Sequence, residues 1–279
     1  DNYGYRTITR LPYPFDYEEQ YSGVMDKNGN IMMSPEYSNI SNIGDSGYYV
    51  ACEAETGMYG IIDENYEWIC ESEYSGIYKV WNGSTDNLVK VNEEYLLIAV
   101  YDFQEGHGAE IINEYGGTIV PMEYYDINAQ CGMNRLIVEN SEGYYGAIDL
   151  NGNLEIACQY DELGDFSYDE ETYAMKDGAV FAVDIYGNER FLTNADDCWQ
   201  IDSNLYEVGI NENWSVIDSN GEYLFSETYD NHEVNEKYIA GSNEENKNGI
   251  LMLKSGEVVS TEYQKYMLSY KVPDIVKIY

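Results

Sequence analysis

Read as apolar and polar positions, the chain repeats one short phrase. In its fullest copy Gly60-Ile61-Ile62-Asp63 gives way to a polar break, then to Trp68-Ile69, and ends on Tyr74, eleven places after Asp63. The phrase returns as Gly23-Val24-Met25-Asp26 with Tyr37, as Ile111-Ile112-Asn113 with Tyr124, and as Gly146-Ala147-Ile148-Asp149 with Tyr160. It returns again as Ser215-Val216-Ile217-Asp218 with Tyr229 and as Gly249-Ile250-Leu251-Met252 with Tyr263, and a worn copy is left at Ala182-Val183-Asp184. The anchors Asp26, Asp63, Asn113, Asp149, Asp184, Asp218 and Met252 are spaced 37, 50, 36, 35, 34 and 34 residues apart. A fixed period of this size marks an array of small supersecondary units. The pattern predicts seven units in a single array over residues 21–279, behind an N-terminal extension of residues 1–20.

Within a unit the elements read as β-strands. Tyr48-Tyr49-Val50-Ala51-Cys52, Met58-Tyr59-Gly60-Ile61-Ile62 and Glu67-Trp68-Ile69-Cys70 are aromatic or aliphatic runs without a helical period. Polar Gly/Asn punctuation between them indicates antiparallel meanders of three or four strands. Asn28-Gly29, Asn151-Gly152 and Asn220-Gly221 sit in the same slot, where Asn-Gly predicts type I′ hairpin turns. The fold class expected is all-β, with tandem meanders that bury one another's apolar faces. A β-propeller-like ring is favoured over an open β-solenoid. The first copy lacks a recognisable leading strand, and Asp274-Ile275-Val276-Lys277-Ile278 at the other end resembles one, so it is expected to close the ring on the first unit. Tyr5-Arg6-Thr7-Ile8-Thr9 is the alternative, a cap on an open stack.

Charge changes the picture of partners rather than of fold. The chain carries 52 acidic and 14 basic residues, a net charge of −38, while 44% hydrophobic content suffices for a core. Nucleic acid is excluded as an expected partner, because no basic surface exists to displace counterions. Anionic membranes are disfavoured for the same reason, and no apolar stretch is long enough to insert. Basic peptides, neutral glycans and weak, diffuse divalent cation binding remain compatible with the charge. The chain opens on Asp1, which leads to the expectation of a processed or trimmed N-terminus. Cys52, Cys70, Cys131, Cys158 and Cys198 have no C-x-x-C spacing and read as buried small residues.

The repeated residues resemble the WG-repeat (KWG-repeat) family of bacterial proteins. That family's unit runs Trp-Gly-x-Ile-Asp, then x-x-Gly, then an apolar-Pro-x-x-Tyr-Asp-x-Ile stretch. The positions that carry the resemblance are Tyr59, Gly60, Asp63 and Tyr74, then Tyr145, Gly146, Asp149 and Tyr160, then Trp214, Asp218 and Tyr229. Pro35 and Pro121 keep the proline, and Tyr125-Asp126, Tyr160-Asp161 and Tyr229-Asp230 keep the Tyr-Asp pair. No copy holds an intact Trp-Gly, and the fifth has Val180-Phe181 in its place. The resemblance implies a β-rich repeat used for binding, often on exported or surface proteins, and the family has no general activity to carry over.

Candidate chemistry is sparse. His107 and His232 are the only histidines, and no G-x-S-x-G, H-E-x-x-H or P-loop occurs. Asp26-Lys27-Asn28-Gly29-Asn30 resembles part of an EF-hand loop, but its Gly falls at the fourth position rather than the sixth. No metal site and no cofactor are expected. The irregular 50-residue spacing holds out-of-register aromatics, which makes Trp81, Tyr101, Phe103 and His107 the candidate ligand-binding residues. The function expected is a non-enzymatic, extracellular or cell-surface scaffold for a protein or peptide. The alternative is a glycan-binding module or a glycosidase built on aromatics and paired carboxylates.

Overall fold

A computed structural model describes residues 6–10, 21–103, 106–224, 231–234, 238–243, 248–253, 258–261, 266–268 and 276–278, with side chains over 21–102 and 106–224. All regular structure among them is β, and no helix occurs. Strands follow one another in chain order as antiparallel meanders. One runs Gly76–Lys79, Glu94–Phe103, Gly106–Asn113, Thr118–Tyr124, and the next Asp126–Gly132, Arg135–Glu139, Tyr145–Asp149, Leu154–Tyr160. Glu162–Leu163, Glu171–Lys176, Ala179–Asp184 and Glu189–Asn194 form another, and Asn231–Val234 to Val258–Thr261 another. Two further meanders are fused into the six-stranded first sheet through the 12-residue strand Ile31–Asn42. Its first half pairs with Tyr21–Met25 and its second with Tyr49–Glu53.

The repeated phrase supplies the third strand of each meander. The Tyr that ends it closes the fourth strand, and the chain bends there into the next sheet. The leading strand missing from the first copy is Arg6–Arg10, which lies inside the stretch read as an extension and pairs with Tyr21–Met25. The other end departs from expectation. Val276–Ile278 pairs with Tyr266–Leu268, and no sheet among the described residues closes on itself. Tyr229 and Tyr263 lie outside the described residues. By compactness the chain forms two units, one of residues 1–159 with 165–167 and one of residues 160–164 with 168–279.

The middle strands are buried on both faces, which explains their continuous apolar runs. Ile61 faces a core with Val50, Cys70, Tyr74, Leu97, Ala99 and Ile112. Its neighbour Ile62 faces a different core with Val24, Met33, Ile40 and Ala51. Likewise Leu97 and Ile112 look toward the preceding sheet, while Ile98 and Ile111 meet Leu136, Val138 and Ile148 of the following one. In the second unit Met175, Val180 and Ala182 pack on Cys198, Tyr206, Val208 and Ile217 in the same manner. Each fully buried Ile or Leu contributes about 1.5–3 kcal/mol relative to an exposed one.

The Gly of the phrase is required by a close backbone approach. Tyr59 pairs with Tyr74 but Ile61 with Cys70, so the fourth strand bulges by two residues opposite Gly60. A Cβ at Gly60 would stand 2.5 Å from the Cys70 carbonyl oxygen, and the same holds at Gly23 against Met33 and at Gly146 against Ile156. The worn copy has Phe181 here, and its bulge is only one residue, between Val180–Thr193 and Phe181–Phe191. Gly60→Ala and Gly146→Ala are therefore expected to cost about 1–3 kcal/mol each. Urea denaturation is the measurement; a loss below the ~0.5 kcal/mol typical of surface changes would show that the bulge yields freely.

Candidate functional site

The acids of the repeat are occupied in building turns. Asp63 Oδ1 accepts the backbone amides of Asn65 and Glu67 at 2.8 and 3.0 Å. Its carbonyl accepts Tyr66 N–H at 3.0 Å, and its own amide bonds the Glu67 carbonyl. The same four bonds recur at Asp26, Asn113, Asp149, Asp184 and Asp218. Asn140 makes them in a turn outside the phrase. Only one residue per turn is left-handed: Gly29, Gly116, Gly152, Gly187 and Gly221 lie at φ between +77° and +90°, and Tyr66 takes the position at +67°. Asn28, Asn151 and Asn220 do not have positive φ. The Asn-Gly pairs thus form a type I turn with a following Gly bulge, not the expected type I′ turn. True type I′ pairs occur elsewhere, at Asn92-Glu93, Met133-Asn134, Asp177-Gly178 and Asn211-Glu212.

These bonds fix the carboxylates electrostatically. The Asn30 side chain and amide hold Asp26 below its ordinary range, and the Glu67 amide does so for Asp63. At Asp149 and Asp184 burial pushes upward, but the bonds from Asn153 and Asn188 outweigh it and the pKa falls.

A second polar clamp sits at the bend between meanders. Asp161 Oδ2 accepts the Asp177 amide at 2.9 Å and Asp196 Oδ2 the Asn211 amide at 2.8 Å, each capping a type I′ turn. Ser75 does the equivalent for Asp102.

The 50-residue spacing resolves into two insertions. The first follows Val80. Trp81–Asn82 pairs parallel with Gln130–Cys131, and Ser84 Oγ donates to the Ser167 carbonyl at 2.7 Å. Gln130 Nε2 donates to Asp165 and Ser167, and Gly132 leaves room for the backbone of the fully buried Phe166. This insertion is a latch on residues 165–167 of its own unit. The second is a β-arm, Tyr101–Phe103 against Gly106–Gly108. It extends past Val100 and Ala109, the last residues paired to the flanking strands.

Of the four candidate ligand residues, the three with described side chains are divided between the latch and the arm. Trp81 is half exposed on the latch. Tyr101 is partly buried, its ring 5.0 Å from Tyr74, and both hydroxyls donate to Glu110 Oε1. Burial raises the pKa of both phenols. Phe103 contributes a backbone pair with Gly106, and its side chain is outside the described residues. His107 pairs across the arm with Asp102, its Nδ1 3.4 Å from that carboxylate, and its ring lies 4.4 Å from Tyr125. The sequence reading missed Glu110, which takes the place of the repeat's Gly and is buried among these tyrosines. An acid where the six other copies carry Gly, Ser or Phe was the available signal. It also missed Met122 and Tyr125, exposed beside His107.

All five cysteines are free, and burial raises the thiols of Cys70, Cys158 and, to about 11, Cys131. Among the described residues no three His, Cys, Asp or Glu side chains converge as metal ligands, and no helix is long and apolar enough to cross a membrane.

Comparison with known proteins adds the following. Residues 23–54 and 145–176 match the profile of the WG containing repeat. The first match runs from the third strand of one meander to the second strand of the next. No curated protein sequence matches the chain. Similar solved structures include Kluyveromyces lactis Hsv2p, 11% identical over 92% of this chain and 96% of that one, with a TM-score of 0.41. BamB from Moraxella catarrhalis is 10% identical over 93% and 82%, TM-score 0.38. The WD40 β-propeller domain of Doa1 is 11% identical over 84% and 86%, TM-score 0.37.

Two outcomes follow from the geometry. Phe166→Ala should cost about 3–5 kcal/mol in urea denaturation, since that ring is fully buried. For Asp184, a depressed folded pKa means its charge stabilises the fold above the ordinary carboxylate value of 3.8, and that contribution is lost as pH falls through the folded value. Asp184→Asn keeps the acceptor oxygen, as Asn113 does naturally. The wild-type advantage over this variant should therefore be present near neutrality and shrink to nothing below the folded pKa. A pH series of urea midpoints in high salt reads it directly.

Proposed function

We propose that this chain is a non-enzymatic scaffold that binds a protein or peptide partner, working outside the cell or at its surface. The observation that carries the reading is a recurrence on the fourth strands. Ile31, Met122, Leu154 and Phe191 each expose more than half of their surface, at 60, 52, 55 and 54%. The repeat's acids meanwhile are engaged in turns rather than aimed at a common point. Large exposed apolar side chains on a rigid repeat support partner binding. The net charge of −38 makes a cationic partner the favourable one and opposes self-association. The placement at the surface is what the resemblance to the WG-repeat family implies.

We further read the meanders as blades of a closed ring. A compact particle of this length should give a radius of gyration of about 19 Å in small-angle scattering, whereas an open stack would be substantially longer. For the scaffold itself, the test is a triple variant, Ile31→Ser with Leu154→Ser and Phe191→Ser. Partner capture from the native cell surface should fall at least tenfold while stability changes by less than about 1.5 kcal/mol, ~0.5 per surface site. Undiminished capture would refute the role given to these strands.

A further inference from the structure

We infer that the β-arm and the bulge beside it form a docking site for an extended, cationic protein segment that adds to the arm as a further strand. The inference rests on the scaffold reading and names where the partner sits and what chemistry it carries. Four observations combine. The arm is the one hairpin among the described meanders that outruns its sheet; the equivalent turns at Asp177-Gly178 and Asn211-Glu212 are two residues long. Pairing with the fourth strand ends at Ala109–Tyr124, where the Pro121–Glu123 bulge begins, so no described strand covers the arm's edge at His107.

The direction of the free groups follows from register. The Asp102 N–H donates to Ser75 Oγ rather than across the arm, and that hydroxyl donates back to the Asp102 carbonyl. Asp102 and His107 are therefore a non-hydrogen-bonded pair, and the main-chain groups of His107 point to the opposite, uncovered edge. An added strand would bond there.

Beside that edge lies an apolar surface with an acidic rim. The Met122 side chain rests on the backbone of Gly108, and the Tyr125 ring rests on His107. Met122 and Tyr125 are about half exposed. Asp102, Glu123 and Asp126 surround them and are exposed. Between Lys90 and Arg135 the chain has 8 acidic residues, Glu93, Glu94, Asp102, Glu105, Glu110, Glu114, Glu123 and Asp126, and no Lys or Arg. A strand with Lys or Arg at alternate positions would place its cations on this rim and its intervening apolar residues on Met122 and Tyr125.

The probe is a fluorescent seven-residue peptide alternating Lys and Val; the control alternates Lys and Pro, with equal charge but no N–H at every second position and a backbone that resists strand pairing. At physiological salt the Lys-Val peptide should bind at least tenfold tighter than the Lys-Pro peptide. Met122→Ser with Tyr125→Ser, both on the surface, should abolish that preference, and Asp102→Lys with Glu123→Lys should weaken Lys-Val binding at least tenfold. Equal binding of both peptides would reduce the effect to bulk charge and overturn the site. So would a Lys-Val preference that survives both double variants, though it would leave the scaffold reading standing on another surface. Capture of the native partner lost in the fourth-strand triple variant but kept in the arm variants would likewise overturn the arm alone.

Discussion

The structure depends on burial of the same strands from both sides. Ile61 and Ile62 are adjacent in the chain yet belong to different cores, and Ile111 and Ile112 repeat the arrangement one sheet later. A sheet loaded on both faces has no solvent face to fall back on. Removed from its neighbours it would expose two apolar surfaces, and a meander of about 35 residues cannot offset the chain entropy with what remains. Stability is therefore shared between adjacent sheets rather than held within any one of them. This also explains why the repeat unit seen in sequence straddles two sheets. The match over residues 23–54 begins on the third strand of one meander and ends on the second strand of the next, so each sequence copy carries its own inter-sheet seam.

The seam needs the third and fourth strands to approach closely and then part. Gly60 allows the approach, since its missing Cβ is where the Cys70 carbonyl sits. The Asp turn fixes where the fourth strand begins, and the bulge fixes where it leaves. The acids of the phrase are thus structural parts, each spending its lone pairs on main-chain amides. A net charge of −38 would suggest a chain with carboxylates to spare for chemistry, but the recurring ones are already committed. What the charge does instead is set the sign of the field that an approaching partner meets.

The repeat made the β class, the strand order and the Tyr bend readable, because each has a period. Single events were not readable. Asn-Gly at 28–29 suggests a type I′ turn locally, but Asp26 two residues earlier captures the amides and selects a type I turn with one left-handed Gly. Arg6–Arg10 pairs with the first unit although nothing in its composition marks it as a repeat strand. The segment that holds Phe166 is fastened by Ser84, some eighty residues earlier in the chain, which donates to the Ser167 carbonyl, and no local pattern encodes a contact of that range. Trp81, Tyr101 and His107 share an insertion in sequence but not a surface, because the insertion splits into a latch and an arm. Glu110 breaks the Gly rule where Tyr74, Tyr101 and Thr118 supply three hydroxyls to its carboxylate.

The split between latch and arm bears on where function can reside. Any side chain inside a seam is held by two sheets, so changing it to suit a ligand disturbs both cores. The latch is constrained in the same way, since Ser84 and Gly132 must fit the Phe166 loop. The arm beyond Val100 and Ala109 carries less of this duty: its strands pair with each other, and its inner end is tied down by Tyr101 on Tyr74 and Glu110 and by the Ser75 hydroxyl on Asp102. Outward of Tyr101, its exposed residues can vary at little cost to the fold while keeping a fixed position on a rigid sheet. A repeat scaffold that must stay regular to be stable can acquire individuality only where its regularity is interrupted, and in this chain the described interruption whose strand edge is left uncovered is the arm with Met122 and Tyr125 at its base.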